Sequence, residues 1–215
     1  MTREENELLC RVEGDAPMGQ LMRRHWTPVC LIEEVPEPDG TPVQARVFGE
    51  DLVVFRDTEG RVGVMDEYCP HRRASLVFGR NEEGGLRCLY HGWKMDVHGQ
   101  VLEMVSEPAA SGMAQKVRHK AYPVQERRGF VWAYMGPAET QPAFVPPPWA
   151  PTPETRVTIA KVMLPCNWAM RPPARTGRPT PSVSSRWTAM PPAAATTVAA
   201  WAARWKSPTA FPNPG

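Results

Sequence analysis

The stretch CPHRRASLVFGRNEEGGLRCLYHGW, residues 69–93, holds two of the chain's five cysteines and two of its five histidines. They form two mixed pairs, Cys69-Pro-His71 and Cys88-Leu-Tyr-His91, with sixteen residues between His71 and Cys88. Each pair is followed by residues that turn the chain. A lone Cys-His catalytic couple would need one thiol and one imidazole, and would leave the second pair idle. Two pairs point to metal. A structural zinc ion would accept two thiolates and two imidazoles, although zinc fingers more often pair cysteine with cysteine and histidine with histidine.

A third reading fits the mixing best. In a Rieske [2Fe–2S] cluster two cysteines bind one iron and two histidines bind the other. Two loops that each supply one Cys and one His let each loop reach both irons. The spacing C-x-H, sixteen residues, C-x-x-H suits that cluster, with zinc as the competing reading.

The rest of the composition constrains the setting. The chain has 215 residues, 42% hydrophobic and 22% charged, ordinary for a soluble globular protein of one or two small domains. Its apolar runs are too short to span a bilayer. The N-terminal MTREENELL is acidic and lacks a basic-then-apolar signal, so a reducing cytoplasm is the expected compartment. Scattered cysteines in such a chain argue for metal binding or free thiols rather than a disulfide frame. Cys10, Cys30 and Cys166 have no metal-spaced partner and read as structural thiols. His25, His98 and His119 stand alone and read as surface or packing residues. Arg72, Arg73 and Arg80 could face an acidic electron donor, but solvated charge is the default. Gly84-Gly85 lies among acids with no P-loop lysine, so phosphate binding is not indicated.

Along the chain, Asp15 followed by APMGQLMRRHW predicts a capped amphipathic helix with Met18, Leu21, Met22 and Trp26 on one stripe. From Val43 the pattern turns to strands: VQARVF, DLVVFRD and RVGVMD, then LRCLY, GWKMD, QVLEM, YPVQER and GFVWAYM. Trp132 and Tyr134 read as sheet packing within the last of these. Glycine-rich breaks separate the strands, and Asp57-Thr58-Glu59-Gly60 is a turn. Short strands at close spacing predict a mainly β fold, a small sandwich or barrel. Residues 137–153 form a proline-rich connector, and RVTIAKVML, residues 156–164, predicts one further strand.

At these residues the sequence resembles a family. CPHRRASL and CLYHGWKMD are similar to the two cluster loops of Rieske non-haem iron oxygenases. PMGQLMRRHWTPVC, GEDLVVFRDTEGRVGVMDEYCPHR and AYPVQERRGFVWAYMGP resemble the N-terminal half of phthalate-dioxygenase-like α subunits, and LPCNWA, residues 164–169, resembles the entry to their catalytic domain. The resemblance implies a Rieske [2Fe–2S] domain of the ISP-type β-sandwich or barrel, with Cys69 and Cys88 on the inner iron and His71 and His91 on the outer. Neutral imidazoles in place of two thiolates raise the potential relative to an all-cysteine cluster. Gly92 would let the second loop turn, and Trp93 would shield the cluster from water. It further implies an electron donor (a ferredoxin, or a flavin or iron–sulfur reductase), no nucleic acid, no membrane, and homo-oligomers in intact relatives.

The resemblance stops at residue 169. Relatives hold a mononuclear Fe(II) with two histidines and a carboxylate, soon after LPCNW. Residues 170–215 contain no His, Asp, Glu or Cys, and no Leu or Ile. The charge splits at the same place: 19 basic and 23 acidic groups before it, six basic groups and no acid after it. Such a basic tail can mark an anionic partner, but here the charges are scattered among prolines and alanines. Either the tail is natively disordered, or the reading frame has shifted. The expected organisation is a helical segment at 1–39, the Rieske domain at 40–140, a connector and first strand at 141–169, and a tail at 170–215, disordered or out of frame. The expected role is the electron relay of an aromatic-ring oxygenase whose catalytic half is absent, inactive as an oxygenase alone. The alternatives are a stand-alone Rieske ferredoxin and a zinc-stabilised binding domain.

Overall fold

A computed structural model describes residues 2–146 together with residues 159 and 161. Two short helices open the chain. α1 (Arg3–Cys10) starts in a reciprocal capping box between Thr2 and Glu5. α2 (Pro17–Arg23) does not use the expected Asp15 cap. Ala16 precedes it, no side chain caps it, and Pro17 opens its first turn, where a missing N–H costs nothing. The expected stripe also differs. Met18 and Met22 pack on the core, but Leu21 is 54% exposed, and the buried residues of α2 are Gly19 and Arg23. Arg23 explains the inversion, because its guanidinium donates to the carbonyls of Val12 and Phe48, both at 2.9 Å. The helix is anchored by these hydrogen bonds together with the packed Met18 and Met22.

Apart from a third short helix, α3 (Met113–Lys116), and short 3-10 turns, the remaining regular structure is antiparallel β in three sheets among the described residues. β1 (Thr27–Leu31), β10 (Val124–Arg127) and β11 (Phe130–Ala133) form one, in the order β1-β11-β10. β2 (Val43–Val47), β3 (Glu50–Arg56), β4 (Val62–Asp66) and β9 (Ala121–Tyr122) form a second in the order β2-β3-β4-β9. β5 (Arg80–Glu82), β6 (Gly85–Arg87), β7 (Lys94–Met95) and β8 (Val101–Glu103) form the third, in sequence order. The fold is mainly β, as the sequence predicts. β1 and β5 carry no alternating pattern and are legible only from their pairing. Because β1 pairs with β11, residues 27–31 share a sheet with residues 130–133.

One strand joins two cores. Leu52 and Val54 of β3 lie in a core between the first two sheets, with Val29, Val64 and Val131. Val53 and Phe55 point the other way, into a core with Met65, Leu86 and Met95. Side chains alternate across a strand, so a strand covered on both faces reads as the unbroken apolar run Leu-Val-Val-Phe. Cys69, Cys88 and Trp93 belong to that second core. The two pairs found in the sequence are therefore built onto packed structure.

Trp26 lies beyond α2 and packs on Tyr134 and Phe144, with ring centroids 5.8 and 5.4 Å away. Tyr134 is fully buried, and Trp132 stacks edge-on with Phe130 and Phe144, consistent with sheet packing. Of RVTIAKVML only Ile159 and Lys161 are described; Lys161 pairs with Glu34 at 2.7 Å. The rest of that segment, Cys166 and the 170–215 tail lie outside the described residues. Among the described residues no helix is long and apolar enough to cross a membrane.

Candidate metal centre

The first loop leaves the end of β4 and is tied down before the cysteine is reached. The Asp66 carboxylate accepts the Tyr68 N–H at 2.8 Å. The buried Glu67 carboxylate accepts from Ser75 Oγ and Gln44 Nε2, both at 2.7 Å. Within the loop Cys69 N–H donates to the Ala74 carbonyl at 2.9 Å, and Arg73 N–H donates back to the Cys69 carbonyl at 2.9 Å. Closing that turn puts Arg73 at φ +58°, the left-handed region.

The second loop repeats the first. It connects β6 to β7, where Cys88 N–H donates to the Trp93 carbonyl at 2.8 Å and Gly92 N–H to the Cys88 carbonyl at 3.0 Å. Gly92 stands four residues after its cysteine, as Arg73 does, and has φ +72°. The two loops are thus equivalent knuckles, each with a buried cysteine at its root and a left-handed residue at its close. A glycine occupies that position in one loop and an arginine in the other.

The knuckles bring all four donors together. Cys69 and Cys88 are 1% and 2% exposed, and the partly exposed His71 and His91 rings lie 4.6 Å apart between centroids. Trp93 stacks on His71 at 4.7 Å with the planes 5° apart, and its Nε1–H donates to Ser106 Oγ at 3.0 Å. Burial pushes the Cys69 thiol up to about 11, and the neighbouring Cys88 adds to the effect. A buried thiol held in its neutral form is what a metal must displace a proton from. Burial, then the adjacent His71, pushes His91 below its ordinary value and favours the neutral imidazole a metal requires.

Two observations bear on a bound group. His91 Nδ1 is buried without a hydrogen-bond partner, a costly state for a polar atom unless a ligand occupies it. Among the described residues no three or more His, Cys, Asp or Glu are arranged to hold one ion. A tetrahedral zinc would need all four donors around a single point, whereas a two-iron cluster asks each iron for only two protein ligands. The paired arrangement fits the [2Fe–2S] group.

Residues 25–123 match the Rieske [2Fe-2S] domain family, and the chain is 76% identical over 169 residues to the phthalate 4,5-dioxygenase oxygenase subunit of Pseudomonas putida. The chain carries a Rieske [2Fe–2S] domain similar to that of phthalate-dioxygenase oxygenase subunits. The alignment covers 79% of this chain and 38% of that relative, so the chain spans about two fifths of its length. A second family, LigXa C-terminal domain like, matches residues 133–215. Two solved structures share the fold of the Rieske domain. Dicamba monooxygenase bound to dicamba has a TM-score of 0.57 and 26% identity, covering 67% of this chain and 45% of its own. The oxygenase in an oxygenase–ferredoxin complex of carbazole 1,9a-dioxygenase has a TM-score of 0.59 and 27% identity, covering 76% and 43%.

Around the Rieske loops the other candidates fall where packing sends them. His25 and His98 are exposed, and His119 is buried with Nε2 donating to the Asp66 carbonyl at 2.7 Å. Cys30 is fully buried, and burial pushes its thiol up to about 12, so it stays protonated. Arg72 and Arg73 are exposed beside the first loop; Arg80 is exposed on β5 and lies 3.6 Å from Glu82. Gly84 closes the β5–β6 hairpin, where Glu83 and Gly84 both have positive φ, the geometry of a tight hairpin turn. Sequence reasoning missed three residues that hold the loops: Glu67, His119 and Arg87. A charged residue one or two positions before a ligand cysteine is the only signal that singles out two of them.

Proposed function

We propose that Cys69 and Cys88 hold one iron of a [2Fe–2S] cluster and His71 and His91 the other, and that the chain relays electrons to an aromatic-ring-hydroxylating oxygenase centre. The observation that carries this reading is the pair of matching knuckles, each presenting one buried thiol and one partly exposed imidazole. A [2Fe–2S] group bound there supplies storage for one electron. The chain's own residues do the rest. The buried cysteines root the group in the second core, Trp93 excludes water from one face of His71, and the two imidazoles sit at the solvent edge where an electron donor can approach. That donor is a ferredoxin or a flavin or iron–sulfur reductase, and the substrate class of the whole enzyme is phthalate-like aromatic acids. The oxygenase–ferredoxin complex of carbazole 1,9a-dioxygenase supports a ferredoxin donor, and the phthalate 4,5-dioxygenase and 3-chlorobenzoate-3,4-dioxygenase relatives support the substrate class.

The oxygenase centre itself would need a mononuclear iron. Residues 155–215 offer no His, Asp or Glu for it, and the chain spans 38% of the Pseudomonas putida relative. This supports an electron-relay role for the chain as it stands. The missing ligands equally suit a stand-alone Rieske ferredoxin.

The test is metal analysis of protein purified anaerobically. About two irons and two sulfides per chain are expected, with the low average g value of mixed Cys/His ligation on reduction. His71→Ala and Cys88→Ala should each abolish that signal. A colourless protein with one tightly bound zinc would overturn the reading.

A further inference from the structure

The second knuckle is braced by a side chain the ligand pattern does not include. Arg87 closes β6 immediately before Cys88, and its side chain is only 11% exposed. Nη1 donates to the Gly92 carbonyl at 3.0 Å, spanning the neck of the loop from the residue before the cysteine to the residue after His91. Nε donates to Glu82 at 2.6 Å and Nη2 to Glu103 at 2.9 Å, so strands β5 and β8 fix the guanidinium from either side. Lys94 lies directly across the β6–β7 pair from Arg87, 4% exposed, bonded to Glu83 and Glu103. The charges are layered. The two cations lie inside, while Glu82, Glu83 and Glu103 lie outward at 33%, 76% and 42% exposure. Water screens exposed charge far more than buried charge, so the positive charge of Arg87 acts on the loop with less attenuation than the carboxylates that balance it.

Taking the [2Fe–2S] ligand reading above as given, we infer that Arg87 is a positioning residue that also sets the reduction potential of the centre. Its planar fork holds the Gly92 carbonyl and so fixes the path of the backbone that carries Cys88 and His91. A lysine has no such fork and cannot reproduce the three directions at once. Reduction adds one negative charge to the centre, and a nearby, poorly screened cation favours that state. Glu103 opposes the effect, because its carboxylate lies on the same guanidinium.

The signs give the experiment. With the intact 215-residue chain loaded with its cluster, the midpoint potential and the reduced-state electron resonance spectrum are measured for the parent and four variants. Arg87→Gln is expected to bind the electron about tenfold more weakly, a fall of about 59 mV for a one-electron couple, and to broaden the spectrum as the loop loosens. Arg87→Lys should keep most of the potential yet broaden the spectrum. Glu103→Gln should raise the potential. Arg3→Gln, an exposed change on α1, should leave both unchanged. A general packing defect would move Arg87→Gln and Glu103→Gln in the same direction, and that outcome, or an unchanged potential in both, overturns the inference. If Arg87→Gln fails to fold, Glu103→Gln and Arg87→Lys still decide it. A parent without a two-iron signal would refute the ligand reading instead, which a loaded cluster with unmoved potentials would not.

Discussion

Gly92 and Arg73 do the same backbone work with opposite side chains. At φ +72° an L side chain is strained, and a Cβ on Gly92 would lie 3.2 Å from Val105 Cγ2. Gly92→Ala should therefore cost about 1–2 kcal/mol and lower cluster occupancy, read by thermal unfolding and iron content. Arg73→Gly is the reverse case. It relieves about 1–2 kcal/mol of left-handed strain. Against that stand the extra unfolded-state entropy of glycine, about 0.4–1 kcal/mol, and the loss of the guanidinium over the Tyr68 ring at 4.7 Å, about 0.5–1 kcal/mol. The opposing effects nearly cancel, so Arg73→Gly should unfold within a degree or two of the parent. A large loss on Arg73→Gly would show that Arg73 does more than close the turn.

Among the elements, the junction of α2, β3 and β9 depends on one carboxylate. Glu50 opens β3 and receives Arg23 from α2 at 3.1 Å, Lys120 at 2.6 Å and the Tyr122 hydroxyl of β9. Burial alone would raise the Glu50 carboxyl, but Lys120, Tyr122 and Arg23 outweigh it and hold it below its ordinary 4.5. Burial and then Glu50 push the Tyr122 phenol upward, so it remains the donor. A carboxylate whose folded-state value is depressed contributes stability that is present above about 4.5 and is lost as pH falls through the folded value. Denaturant titrations should show the parent losing stability below that point. Glu50→Gln should be destabilised by about 2 kcal/mol at neutral pH and should show a flatter acid limb. A mutant as stable as the parent at pH 7 would mean that the Val12 and Phe48 carbonyls and the packed Met18 and Met22 hold α2 without Glu50.

For the whole molecule, the decisive fact is what the chain has no residues to build. An oxygenating iron is ordinarily held by histidines and a carboxylate, and none occurs after Glu154. Supplied with a reductase, NADH, ferrous iron and phthalate-like acids, the 215-residue chain is expected to accept electrons and form no hydroxylated product. Oxygen would be consumed only as slow leakage to superoxide or peroxide. Product coupled stoichiometrically to NADH would place a catalytic site where the sequence shows none. Removing residues 170–215 should leave the cluster signal intact, since none of the four ligand candidates lies there. Bleaching of the cluster on removal would count against that.

The sequence by itself named the candidate donor set, because thiols and imidazoles at these spacings have few other uses. It also determined most strands, because β-branched runs between glycine breaks carry their own period. Tertiary structure decided the rest. β1 carries no alternation and exists only through its pairing with β11. Nothing local marks Arg73 as the counterpart of Gly92, since the demand for a left-handed residue comes from closing the loop onto Cys69. Arg87, Glu67 and His119 read as ordinary polar residues until the fold buries them against the loops. Their partners are 8 to 53 residues away in three of the decisive contacts, Ser75, Glu103 and Asp66. A linear pattern records which groups are available, and only packing records which groups are left without water and must find each other.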